Sequence, residues 1–184
     1  MFKLPKNQKV IELQKSWTAR SIALVNIHHV IREDGSKGCV WCGDDLKTKH
    51  PAQRYCKDKM CVRSAWAWSY PQKEDGIFFL MSRQDWCCNI CKHDWKPFIE
   101  THIVGKFYGT SIEYFKSGSY KTEYSYFLIK RLKENIDKKL KPEVDHIVPI
   151  YKGGQSLGLD NHQVICYSCH KGKTAVDLSG KRKK

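Results

Sequence analysis

No run of about 18 apolar residues occurs in this chain of 184 residues, so no helix of ordinary length is available to span a membrane. The opening MFKLPKNQKV lacks the apolar core of a secretory signal, and an intracellular, cytoplasmic protein is expected. No strongly amphipathic stretch offers an anchor for a lipid surface. Acidic residues are in short supply: 19 Asp and Glu stand against 33 Lys and Arg, for a formal net charge of +14. That deficit suits a polyanionic partner, with nucleic acid ahead of membrane. Excess lysine also keeps a protein soluble, so charge alone does not decide.

Cysteine is plentiful, with nine residues. Without a secretory context, metal binding is favoured over a disulfide framework. Cys39-x-x-Cys42, Cys88-x-x-Cys91 and Cys166-x-x-Cys169 are three knuckles, and Cys56 and Cys61 make a looser fourth pair. The pairs come in sets of four and no βαβ pattern surrounds them, which argues against a redox protein. Cys39, Cys42, Cys56 and Cys61 form one candidate zinc site, with His50 the substitute ligand to be weighed. Cys88, Cys91, Cys166 and Cys169 form the second. Four thiolates leave no open position, so both Zn²⁺ ions would be structural. Gly43, just after a knuckle, is expected at positive φ. Cys87 is left over and is expected as a small buried apolar residue.

Residues 1–38 hold no chemical motif, and β-branched density around residues 21–31 favours a β-rich segment. His28 and His29 there are expected to be structural. Residues 39–71 form a first zinc module, whose last cysteine leads into a short helix stopped by Pro71. The run Gly76-Ile77-Phe78-Phe79-Leu80 predicts a core strand. Residues 107–126 mix Tyr, Phe, Ser, Gly and Lys, as flexible loops and nucleic-acid surfaces do. Residues 126–140 predict an amphipathic helix closed by Pro142. Phe127, Ile129, Leu132, Ile136 and Leu140 face inward in it, and Lys130, Arg131, Lys133, Lys138 and Lys139 outward. Residues 179–184 are a basic tail. The two cysteine regions echo one another: each has a knuckle, a variable stretch, a second pair and a short basic helix. The first lacks an Asp-His pair, as a degenerate duplicate that kept only its metal would.

Residues 143–176 concentrate the chemistry: Asp145-His146, the Gly153-Gly154 loop, Asn161, Cys166 and Cys169, then His170 with Lys173. Phosphodiester hydrolysis needs an activated water, neutralised phosphate charge and a stabilised leaving oxygen. A neutral His146 suits the first. Asp145 and His170 suit the others as ligands of Mg²⁺ or Mn²⁺, other divalent ions being compatible. Strand neighbours point to opposite faces, so Asp145 and His146 share a site only at a strand's end.

Asp-His, then Asn, then His resembles the HNH group of ββα-metal nucleases over residues 86–176. The resemblance implies an α+β protein: a small zinc-stapled ββα-metal fold at residues 72–178, with an insert at 97–141, preceded by the related four-cysteine module. It implies His146 as general base, Asn161 as the residue that orients the catalytic loop, and Asp145 and His170 as ligands of one divalent ion. Lys173 is either a DNA phosphate contact or a solvated lysine. His162 departs from the hydrophobic residue usual after the Asn, and residues 92–144 make a longer gap than a minimal unit has. The duplicated four-cysteine layout is also similar to small restriction endonucleases of this group. The implied partner is double-stranded DNA. One catalytic set per chain leaves either a homodimer or successive nicks for a double-strand cut. The rival reading is a non-catalytic zinc module that binds nucleic acid.

Overall fold

The computed structural model describes residues 30–47, 52–104, 122–156 and 159–181, together with Lys6, Gln8 and Val10. The expectations for His28, His29, His50 and most of residues 1–29 and 107–126 lie outside the described residues.

Both cysteine regions are built on one backbone pattern. Cys39 N–H donates to Asp44 O at 2.7 Å and Cys88 N–H to His93 O at 2.9 Å, so each first cysteine closes on the residue five further along. Gly43 N–H and Lys92 N–H donate back to Cys39 O and Cys88 O, and both residues have positive φ, +78° and +61°. Val40 N–H reaches Arg54 O and Asn89 N–H reaches Val164 O, in each case two residues before the third cysteine of the set. The echo in the sequence is thus an echo in hydrogen bonding.

A hairpin of β1 (Val30–Ile31) and β2 (Lys37–Gly38) leads into the first knuckle. Helix α1 (Lys59–Ser69) follows, capped by Asp58, whose side chain accepts from Met60 N–H. Trp41, Val40, Leu46, Ala65 and Trp68 pack around this module.

The second region begins with α2 (Glu74–Arg83). It replaces the strand expected at residues 76–80. Ile77, Phe78, Phe79, Leu80 and Met81 are all buried, because α2 packs against α1, against α4 (Thr122–Asn135) and against the sheet. A helix buried on all sides has no polar face, and an all-apolar run then carries no period to tell it from a strand. Glu74 and Asp75 in its first turn favour the helix through the dipole. Gly76 lets α2 start hard against the preceding turn, since a Cβ there would lie 2.3 Å from Pro71 O. The residues of this run fill core, as expected.

The short helix α3 (Lys96–Ile99) continues as a π-helical stretch to Val104 and packs on α4. Leu128, Ile129 and Leu132 are buried on α4 and Ile136 just beyond its end, but Phe127 is 44% exposed. Ile129, Leu132 and Ile136 thus face inward as expected, Leu140 is half-buried, and Leu128 takes the inward place expected of Phe127. Helix α4 stops at Asn135, and Asp137, whose carboxylate accepts from Lys139 N–H, redirects the chain into a single turn of 3₁₀ helix, Lys138–Leu140. Lys133 lies half-buried rather than outward. Cys87 is half-buried, not buried, with its thiol 3.4 Å from Asp85 O.

Strand β3 (Pro142–His146) pairs antiparallel with β4 (His162–Cys166), Asp145 opposite Gln163 and His146 opposite His162. Helix α5 (Tyr167–Lys181) follows β4 directly and packs across both strands. On the outer side of β4 the Gln84 amide clips the backbone: Nε2–H donates to Val164 O at 2.9 Å and Oε1 accepts from Val164 N–H at 2.7 Å.

Candidate active site and metal centres

The cysteine sulfurs gather in two groups, Cys39, Cys42, Cys56 and Cys61, and Cys88, Cys91, Cys166 and Cys169. Thiolates about 2.3 Å from a tetrahedral zinc stand about 3.8 Å from one another. Cys42 to Cys56 is 3.8 Å, Cys56 to Cys61 3.5 Å and Cys91 to Cys166 3.8 Å. Burial pushes the Cys88 thiol up, yet backbone N–H groups of Cys166, Cys91 and Ile90 outweigh it and bring the group down to about 7. Cys39 is likewise lowered against burial by the N–H groups of Cys42, Cys56 and Trp41. Burial, and then their neighbours, push Cys61 and Cys169 up, and burial takes Cys42 up to about 12. A full set of thiolates thus needs a cation at its centre, and both groups fit zinc.

Asp145 and His146 occupy the last two positions of β3, where the strand ends as expected. Both line a cavity of about 370 Å³ with Pro149, Tyr151, Lys173 and Asp177. The loop that leaves β3 is folded onto Asn161, which is 8% exposed. Asn161 Oδ1 accepts from Val148 N–H at 2.8 Å, its Nδ2 donates to Val148 O and Gln155 O, and its carbonyl accepts from Ile147 N–H. Gly154 passes so close beneath that a Cβ would sit 1.8 Å from Val148 O. Asn161→Ala should leave Val148 N–H and two carbonyls unpaired. A loss of about 2–4 kcal/mol is expected in urea melts, together with disorder of the loop beside His146.

His170, in the first turn of α5, is brought to Asp145: its Nε2 is 3.8 Å from Asp145 Oδ1. An oxygen and a nitrogen each about 2.1 Å from one ion stand roughly 3 Å apart when adjacent and about 4.2 Å when opposite. The observed spacing lies between, so the pair fits a shared divalent ion. Glu143 Oε2 accepts from His170 Nδ1 at 2.5 Å, which leaves Nε2 as the nitrogen with a free lone pair towards Asp145. Glu143 was missed in the sequence, although a carboxylate two residues before Asp145 on a strand must share its face. Lys173 is not a solvated lysine: its ammonium lies 2.9 Å from Asp145 Oδ2 and 2.9 Å from Asp177 Oδ2. Asp177, also missed, sits four residues along the helix from Lys173 and takes Lys152 at 3.3 Å as well. These lysines hold its carboxyl below the usual carboxylate range, Lys173 chiefly by its hydrogen bond.

His146 Nε2 is buried and has no hydrogen-bond partner among the described residues. Burial, helped by Lys173 and opposed by Asp145, lowers the pKa of this imidazole, so the ring is neutral near pH 7. His162 is buried across the sheet, with its ring centroid 4.5 Å from that of His146.

Two strands feeding a helix, with Asp and His at the end of the first strand and His at the start of the helix, define an HNH domain. Residues 133–175 match the HNH endonuclease family, and the chain carries a domain of that family there. An HNH domain supports nuclease-type activity in general and implies a nucleic-acid substrate. Over 33 residues the chain is 54% identical to the DNA annealing helicase and endonuclease ZRANB3 of Mus musculus and to that of Homo sapiens. That stretch is 18% of this chain and only 3% of the length of these curated relatives. No solved structure is significantly similar to the chain.

Proposed function

We propose that the protein is a metal-dependent endonuclease that hydrolyses phosphodiester bonds of double-stranded DNA. The observation that carries the reading is the approach of His170 Nε2 to Asp145 Oδ1, beside an imidazole nitrogen of His146 that is buried and unpartnered among the described residues. Asp145 and His170 are the ligands of one divalent ion, Mg²⁺ or Mn²⁺, and Glu143 keeps His170 in the ligating tautomer. When bound, that ion would polarise the phosphate and stabilise the leaving oxygen. His146 Nε2 takes the proton from the attacking water as its oxygen bonds to phosphorus. The P–O bond on the far side breaks and its oxygen leaves with a proton from solvent. Asn161 holds the loop so that the His146 ring keeps its aim. Lys173 neutralises charge beside Asp145 and is the residue that meets a phosphate oxygen of the substrate in this reading.

The Cys39 module holds zinc and is dispensable for the chemical step. Cutting both strands takes a homodimer or two successive nicks, and a site-specific, restriction-type enzyme is the version of this function that the duplicated four-cysteine layout suggests. The test is supercoiled plasmid incubated with Mg²⁺ or Mn²⁺, and in parallel with EDTA. Nicked or linear product that appears only with the added ion is expected. DNA binding with no cleavage under any divalent ion would make the protein a zinc-dependent binder instead.

A further inference from the structure

A second cavity, of about 430 Å³, lies at the start of β3, and its wall includes Glu143 and His170. One imidazole ring therefore separates it from the Asp145 carboxylate, because His170 turns Nδ1 to Glu143 and Nε2 to Asp145. Glu143 and Asp145 stand two strand residues apart, about 7 Å along β3, a distance comparable to one step along a nucleic-acid backbone. Lys133, Lys141 and Gln72 supply polar groups to the cavity, and Ile77 lies on its apolar side.

The lysines here differ from those beside Asp145. Lys152 and Lys173 are paired with carboxylates. The Lys133 and Lys141 ammonium groups have no hydrogen-bond or ion-pair partner among the described residues, and both residues are half-buried. The acid that lines the cavity, Glu143, is committed to His170. Burial lowers the Lys133 pKa; Glu74 and Glu143 oppose this, and Lys73 and Lys141 add to it. Glu74 and Glu143 act on Lys133 without a direct ion pair among the described residues, so part of the cost of desolvating this cation remains, and a bound anion offsets it.

We propose that this cavity is a phosphate site in which Lys133 and Lys141 grip a backbone phosphate of the cleaved strand, adjacent to the one at Asp145. The proposal rests on the reading of Asp145 and His170 as the scissile-phosphate site, and it fixes the line of the strand across His170. The strand passes over the imidazole, with Glu143 below it.

The experiment measures DNA affinity in EDTA across a salt series, for the full chain and for a Lys133→Gln, Lys141→Gln variant. The slope of log K against log[salt] is expected to fall by about 1 in magnitude, the share of one released phosphate contact. An unchanged slope in a variant that melts like the native chain overturns the proposal. On the substrate side, duplexes with one neutral methylphosphonate at successive positions are bound to the native chain. A single position next to the cleaved bond should weaken binding, and that penalty should vanish in the variant. A scan with no such position, or a penalty that persists in the variant, sinks the site, and the native-chain scan decides even if the variant fails to fold. Because the salt slope is read without a divalent ion, it scores the lysines whether or not the native chain cleaves, whereas absence of cleavage removes the nuclease reading and the placement of the phosphate beside a cleaved bond.

Discussion

His146→Ala is expected to lower metal-dependent cleavage by about 10²–10⁴-fold while melting temperature, zinc content and DNA affinity stay close to native. The expectation follows from what the ring does not do. Its Nε2 makes no hydrogen bond among the described residues, so alanine there orphans no partner. The packing it gives up includes the tilted contact with His162. A base argues for loss of rate without loss of substrate, so plasmid nicking and fluorescence anisotropy on the same preparation separate the two. If His146→Ala unfolds, the imidazole is a core residue. If it cleaves at the native rate, water is activated by something else.

The second large effect belongs to Cys166. Cys166→Ser should halve the zinc content and abolish the cooperative melt of the second region, leaving the Cys39 group loaded. Structural zinc contributes roughly 10–16 kcal/mol of apparent binding energy in small modules, comparable to the whole stability of a domain at about 5–15 kcal/mol. Cys166 ends β4, and its N–H donates to Cys88 Sγ at 3.3 Å, so it ties the sheet to a knuckle far earlier in the chain. His170 follows one residue after Cys169 on α5. Loss of the metal therefore also frees the imidazole that meets Asp145. Release of zinc measured with a thiol reagent, beside a circular-dichroism melt, checks both halves, and a native melt for Cys166→Ser would refute the zinc assignment.

The site was legible because its chemistry is written in local spacing. Paired cysteines, an Asp-His dipeptide and a His after the last cysteine keep their meaning wherever the chain takes them. The Asn161 loop, too, was readable from a pair of glycines and one amide. What failed was periodicity under full burial. Residues 76–80 gave no polar face by which to recognise a helix, and near the start of α4 Phe127 was expected inward where Leu128 is, because the two are equally apolar in sequence. Glu143 and Asp177 were missed for another reason. Alternation on β3 puts Glu143 on the face of Asp145, but its role and that of Asp177 exist only once α5 lies across β3 and brings His170 and Lys173 to them. The Lys173 pairing has the same origin.

The Gln84 clip on Val164 bears on how two copies could meet. A two-stranded sheet ordinarily exposes its outer backbone as a template for a further strand. Here a side-chain amide has taken both groups of Val164, and Asn89 N–H shares its carbonyl at 3.1 Å. A second molecule could extend the sheet at that edge only by evicting them. Self-association by strand addition at β4 is therefore disfavoured, and dimers built that way should be absent even at high concentration.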